Sequence, residues 1–290
     1  MTGIQWTDEV WNPSTGCDRI SPGCDHCYAL KMAKRLKGMG QPKYQADGDP
    51  RTSGPGFGLT VHPGALDVPT HWRDPRRVFV NSMSDLGHAR IPPEFLARVW
   101  SVMASTPQHT YQILTKRPGR IGAWLRRCDR YELHTGYPGT PTGWGETCYN
   151  HPGEIIVGYE HWPLPNVHLG TSIELDRYCR RADDLRETAA ALRFLSLEPL
   201  LGPLPSLSLE GIGWCIIGGE SGPGARPLDL GWVRDLIAQC RDTGVAPFVK
   251  QLGSRWAVAN GGNGKGGDIS RWPVDLRVRE FPHGADDLVH

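Results

Sequence analysis

At 290 residues the chain is long enough to bury a large core, and 39% hydrophobic with 22% charged residues is the balance of a globular protein rather than a disordered one. A formal net charge of +1, from 32 basic and 31 acidic residues, excludes any global demand for a polyanionic partner. No apolar run is long enough to span a bilayer, and "MTGIQWTDEVWNP" has neither the basic nor the apolar region of a secretory signal, so no membrane partner and a cytoplasmic location are expected.

A first strand is expected around Ile4–Trp11. It leads into "TGCDRISPGCDHCYALKMAKRL", where Cys17, Cys24 and Cys27 fall within eleven residues and run into an amphipathic helix pattern. In a reducing compartment eight cysteines are poor disulfide candidates, and a close cluster reads as metal binding or catalysis. "SPG" before Cys24 is turn chemistry that can bring all three sulfurs to one point. Three thiolates match a [4Fe–4S] cluster whose fourth iron stays open to a small molecule such as S-adenosylmethionine. Structural zinc takes four protein ligands. A Cys₃His zinc site completed by His26 or His88 is therefore the alternative.

Residues 40–72, rich in Gly and Pro, read as a long and partly ordered excursion. Beyond them come six short apolar runs: 77–85, 110–118, 166–174, 192–199, 213–221 and 246–253. Their near-continuous hydrophobicity suits strands buried on both faces of a parallel sheet. "IPPEFLARVWSVMAS" starts with two prolines and spaces Phe95, Val99 and Met103 four apart, a helix pattern. Further helix patterns follow at 175–192 and at 230–244, the latter stopping on Gly244. "TKRPGRIGAWLRRCDR" is strongly basic and reads as a solvated helix face or as a groove that tracks phosphates. Residues 129–165 insert a long loop in which Cys128, His134, Cys148 and His151 could staple a second metal, though none is expected. "NGGNGKGGD", 260–268, reads as a flexible surface loop.

Strand alternating with helix implies right-handed βαβ units. About seven strands favour a single-domain parallel (β/α) barrel over residues 1–290, partial or closed, with long loop insertions. Polar residues close every later strand: Ser82, Ser84 and Asp85; Thr115 and Lys116; Thr171 and Ser172; Glu198; Glu220 and Ser221; Lys250 and Gln251. In a barrel these ends meet at one mouth, where active sites form.

The set "GC…SPGCDHCYA", "NSMSDL", "LTKRP", "GTSIE", "SLEPLLGP", "GGESGPGARP" and "VKQLG" resembles a family of phage and bacterial three-cysteine proteins related to the radical S-adenosylmethionine superfamily. The resemblance covers nearly the whole chain outside 129–165. It implies a radical-SAM-like partial barrel with the cluster loop after the first strand, in which Cys17, Cys24 and Cys27 hold the [4Fe–4S] cluster. The gaps here are six residues and then two, the first longer than the superfamily's usual one. His26 fills the superfamily's aromatic position before the last cysteine. By the same resemblance Ser82, Ser84 and Asp85 would meet the amino group of S-adenosylmethionine, and Thr171 and Ser172 its ribose or carboxylate. Glu198 joins this set, and Glu220 lies beside the adenosine. The activity implied is generation of a 5′-deoxyadenosyl radical, with an electron donor such as flavodoxin or ferredoxin. Lys116, Arg117, Lys250 and Gln251 would hold an anionic substrate, a nucleotide or nucleic acid. A non-enzymatic zinc-binding or nucleic-acid-binding barrel is the rival reading.

Overall fold

The computed structural model describes residues 4–128 and 162–282. Residues 129–161, and with them His134, Cys148 and His151, lie outside the described residues, as does the Cys128 side chain. The proposed second metal staple falls there. The chain divides into two compact units, one of residues 1–18, 29–169 and 187–191, the other of 19–28, 170–186 and 192–290.

The first unit opens with β1 (Glu9–Trp11) and the short β2 (Ser14–Thr15). After α1 (Tyr28–Gly38), β3 (Thr60–Val61) pairs antiparallel with β2. Next come β4 (Arg77–Val80), α2 (Pro93–Ser105), β5 (Thr110–Thr115) and α3 (Pro118–Cys128). β1, β4 and β5 pair in parallel, with Trp11 opposite Val80 and Val80 opposite Ile113. All three side chains are at most 1% exposed, because a parallel strand is covered on both faces. Each such apolar burial contributes about 1.5–3 kcal/mol. α2 buries Phe95, Val99 and Met103, the spacing its sequence shows.

β6 (Val167–Ser172) contains the boundary between the units. The second unit continues with α4 (Arg180–Arg186), β7 (Leu192–Leu197), β8 (Trp214–Gly218), α5 (Leu230–Thr243), β9 (Ala246–Gln251) and α6 (Ser254–Ala259). β7, β8 and β9 pair in parallel. α5 starts where the Asp229 carboxylate accepts from the Gly231 N–H at 2.7 Å and stops at Gly244, whose φ of 71° is left-handed. The strands form one seven-stranded sheet in the order β1-β4-β5-β6-β7-β8-β9, an α/β parallel fold. No described helix is long and apolar enough to cross a membrane.

Two stretches are better ordered than their composition implies. Between 40 and 72 the chain carries three 3₁₀ turns and β3, and it buries Phe57 and Leu66. Short polar side chains hold it: Asp47 accepts from the Gly56 N–H at 2.7 Å and Asp18 from the Thr52 hydroxyl at 2.8 Å. Between 260 and 268 the loop is tied to the end of β9, where the Gly253 and Leu252 N–H groups donate to the Lys265 and Gly266 carbonyls, each at 3.1 Å. Composition does not register main-chain pairing.

Gly16 sets the path of the chain into Cys17. Its φ is +88°, and a Cβ there would lie 2.2 Å from the Gly58 carbonyl oxygen. Both neighbours are backbone, so nothing can rotate away. Gly16→Ala should therefore lower the free energy of urea unfolding by about 2 kcal/mol or more. Gly64→Ala, where nothing lies within 4 Å, should change it by no more than about 0.5 kcal/mol.

Burial pushes the pKa of His62, His88 and His109 below the ordinary value, and that of His168 down to about 4. These imidazoles are neutral in the folded chain but gain protons in the unfolded chain once pH falls below about 6.5. The unfolded state then binds more protons, so stability is complete above that pH and falls as pH drops toward the folded values. Unfolding midpoints measured between pH 7 and 4 should decline, with a shallower slope in His168→Leu.

Candidate functional site

In the first unit the cysteine loop starts on a lattice of neutral hydrogen bonds. The Asn12 side-chain oxygen accepts from the Met83 N–H at 3.1 Å, and the Asn12 amide donates to the Ser82 hydroxyl at 3.1 Å. Ser14 and Ser84 share a hydroxyl contact of 2.7 Å, and the Asn81 amide donates to Ser14 at 3.0 Å. The Gly16 N–H reaches the Met83 carbonyl at 2.9 Å. Ser82 and Ser84, expected to touch a cofactor, thus fasten the chain just before Cys17 to the end of β4.

Asp85 is buried and has both oxygens engaged. One accepts from the Gly87 N–H at 2.9 Å and the Thr115 hydroxyl at 2.5 Å. The other accepts from the Lys116 N–H at 3.2 Å and the Arg117 guanidinium at 2.7 Å. The same Arg117 nitrogen lies 3.5 Å from Cys17 Sγ, and its partner nitrogen donates to the Asp18 carbonyl at 3.1 Å. Burial opposes the Arg117 charge, but Asp85 and the Cys17 sulfur outweigh it and the pKa moves up. Arg117 is therefore a fixed cation with one nitrogen on a sulfur.

Next to it the Asp18 carboxylate accepts from Thr52 (2.8 Å), Ser53 (3.0 Å) and His88 Nε2 (2.8 Å). Partial burial resists its ionisation, yet those donors carry the pKa down to about 2. His88 Nδ1 accepts from the Arg90 N–H at 3.1 Å, so the ring is the Nε2–H tautomer and both nitrogens are occupied.

In the second unit Cys24 closes a 3₁₀ turn at Pro22–Cys24, with its N–H on the Ser21 carbonyl at 2.9 Å, and the Cys27 N–H bonds the Cys24 carbonyl at 3.2 Å. This is the turn that "SPG" predicts. What holds it is Arg226. Its guanidinium donates to the Pro22 carbonyl at 2.9 Å and to both oxygens of buried Glu220, one at 2.9 Å, and its N–H adds a bond of 2.8 Å. Glu220 also accepts from His26 Nδ1 at 3.0 Å. Burial would raise the Glu220 pKa, but Arg226 and His26 outweigh it and hold the carboxyl below its usual range. Glu220, expected beside adenosine, anchors through Arg226 and His26 the turn that carries Cys24 and Cys27.

Fully buried Glu174 supports the same turn: a Cβ on Gly23 would lie 3.2 Å from its carboxyl carbon. Arg181 donates to Glu174 at 3.0 Å and to the Ser172 carbonyl at 2.8 Å. Thr171 and Ser172 are buried at the end of β6. Beyond β7, Glu198 accepts from Lys250 Nζ at 2.6 Å and the Gln251 amide at 2.9 Å. Lys250 is therefore an ion-paired lysine.

Cys17 belongs to one unit and Cys24 and Cys27 to the other. The six described cysteines form no disulfide, and the three loop thiols are half-buried. Among the described residues no group of three or more His, Cys, Asp or Glu side chains is gathered tightly enough to hold a metal ion. Cys215 and Cys240 are fully buried core residues, and the Cys240 contact together with burial pushes the Cys215 thiol up. Basic residues of α3 bond to backbone carbonyls: half-buried Arg120 to that of Ile91 at 3.0 Å and exposed Arg126 to that of Glu187 at 3.3 Å. Asp18, Asn12, Ser14, Glu174, Arg181 and Arg226 went unread as site residues. Three of them lie inside stretches singled out for other residues: Asp18 in the cysteine loop, Glu174 in "GTSIE" and Arg226 in "GGESGPGARP".

The chain matches the family described as a protein of unknown function, DUF5131, over residues 1–273, and it belongs to that family. No curated protein and no solved structure matches it.

Glu220→Gln should loosen the Cys24–Cys27 turn by weakening bonds to a charged acceptor, a cost of about 1.5–3 kcal/mol in local opening. Tryptic cleavage after exposed Arg19 should accelerate about tenfold or more, while the far-ultraviolet circular dichroism spectrum stays that of the parent.

Proposed function

We propose that this protein is a radical S-adenosylmethionine enzyme of the partial-barrel type, acting on a nucleotide or nucleic-acid substrate. The observation that carries the reading is that two separate ion pairs, each built on a buried carboxylate, both serve the cysteine loop. Asp85 orients Arg117 onto Cys17, and Glu220 orients Arg226 onto the turn of Cys24 and Cys27. Buried charges are retained at a cost to the fold, and here each ends on the segment that presents soft sulfur donors.

The donor set suits a [4Fe–4S] cluster. Three thiols leave one position open, and a guanidinium N–H on the sulfur of Cys17 is the kind of outer support that tunes thiolate ligands. Cys17, Cys24 and Cys27 would hold it. When bound, such a cluster supplies the single electron that cleaves S-adenosylmethionine to a 5′-deoxyadenosyl radical. The chain's own part is to place and shield the reactants. Gly16 and the Asn12–Ser82–Ser84 lattice hold Cys17 in position, and Arg226 fixes the second half of the loop. Thr171 and Ser172, at the end of β6, would face the cofactor, and a flavodoxin or ferredoxin would deliver the electron.

Anaerobic purification and reconstitution test this directly. About four iron and four sulfide per chain are expected, lost in each of Cys17→Ala, Cys24→Ala and Cys27→Ala. 5′-Deoxyadenosine should form from S-adenosylmethionine under dithionite. Stoichiometric zinc with no iron after reconstitution would overturn the reading in favour of a zinc module.

A further inference from the structure

α1 follows the cysteine loop directly, and its charge is one-sided. It carries Lys31, Lys34, Arg35 and Lys37 and no acidic residue, whereas α2, α4 and α5 each set acidic residues among their basic ones. Lys37 is engaged by Asp47 at 2.6 Å. Lys31, Lys34 and Arg35 are exposed and form no ion pair or side-chain hydrogen bond among the described residues. With 3.6 residues per turn these three share a face with Met32, which is 41% exposed. The Met39 N–H still bonds the Arg35 carbonyl at 3.0 Å, so Met39, 61% exposed, continues that face beyond the last turn. Buried Ala29 and Ala33 occupy the opposite side.

Helix stability does not explain this face. Cations in the last turn complement the helix dipole, which accounts for Arg35 and Lys37. Lys31 stands three and four residues before Lys34 and Arg35, spacings at which like charges repel. Met32 and Met39 leave apolar surface in water beside those charges. Methionine and arginine are enriched where proteins meet, and methionine adapts to the shape of a partner. A nucleic-acid backbone would use the cations and leave both methionines idle.

We propose that this face of α1 docks an acidic electron-carrier protein, a reduced flavodoxin or ferredoxin. The inference rests on the proposed function, which needs a one-electron donor: one electron leaves the carrier, which is oxidised, and reduces the cluster. α1 begins at the residue after Cys27, and Lys31 to Arg35 lie about 5–10 Å along its axis from that start. A carrier seated there is therefore next to the segment that presents Cys27. The helix is about 16 Å long, which suits the small interfaces of transient redox pairs. Clustered like charge speeds the encounter with an acidic partner, and the flanking methionines supply the apolar contact.

Biolayer interferometry on the full-length protein without a cluster decides the docking, with an acidic flavodoxin and a plant-type ferredoxin as probes. The parent should bind at least one of them, about ten-fold more weakly as salt rises from about 0.01 M to about 0.15 M. Lys31→Glu combined with Lys34→Glu should weaken binding about ten-fold or more, and Lys31→Gln with Lys34→Gln should weaken it less. Met32→Ser should weaken it at unchanged charge. Arg241→Glu, an equal loss of positive charge on exposed α5 surface, should leave it unchanged, and every variant should keep the parent's circular dichroism spectrum. In reconstituted protein the double Glu variant should lose 5′-deoxyadenosine formation driven by the reduced carrier but keep that driven by dithionite, a small reductant that needs no docking. A parent that binds neither carrier, a double Glu variant that binds as the parent does, or an equal loss in Arg241→Glu overturns the proposal. So does binding of an oligonucleotide or of anionic phospholipid vesicles in place of both carriers. Absence of the dithionite-driven product from the parent counts against the proposed function, whereas the binding measurements need no cluster and still decide the docking.

Discussion

The segment from Cys17 to Tyr28 buries no apolar side chain, and Ser21 is its one buried residue. Everything about the candidate site depends on that constraint. A loop without a core of its own has to be ordered by polar contacts against elements that do have one, at a conformational cost of about 1–2 kcal/mol per residue. The chain meets it with two kinds of contact. Before Cys17 they are neutral, among Asn12, Ser14, Ser82 and Ser84. At Cys17 and after it they are ionic, with Arg117 and Arg226 as the two arms, each oriented by a buried carboxylate. The loop is thus specified largely by residues at strand ends, which are themselves placed by some of the most apolar parts of the sequence.

This explains which parts of the protein were legible. The seven strands follow from runs such as "RVFV" and "WCIIG", where local composition and final environment agree, and α5 is bracketed by Asp229 and Gly244 for local reasons. The tight turn at Cys24 is local too. The ordering of 40–72 and of 260–268 is not, because it rests on single carboxylates and on main-chain pairing with residues far along the chain. Gly and Pro mark where a helix or strand stops, but they carry no information about whether the path beyond is fixed.

The site residues divide along the same line. Cys17, Cys24 and Cys27 are visible because spacing is a local property, and Asp85 because it closes a strand. Their supports are not visible. His26 and Glu220 are 194 positions apart, and Arg226 and Pro22 are 204 apart. The same distance in sequence hides the neutralisation of cations: Arg117 finds its carboxylate 32 residues away and Lys250 finds its own 52 away. A basic side chain at a strand end does not announce its carboxylate in the sequence; only the fold brings the two together. The glycine neighbours of Lys265 suggest slack, whereas the Gly253 and Leu252 N–H groups hold the backbone there to the end of β9.

The cysteines also differ in kind according to where they sit. Cys179, Cys215 and Cys240 are buried, and the Cys179 thiol is pushed up to about 12 by burial and by nearby Asp176. Their sulfurs are shielded from electrophiles and oxidants for as long as the core stays closed. The chain therefore carries its own record of opening. A modification found on one of these three sulfurs marks an opening of the core, independently of whatever chemistry the loop performs.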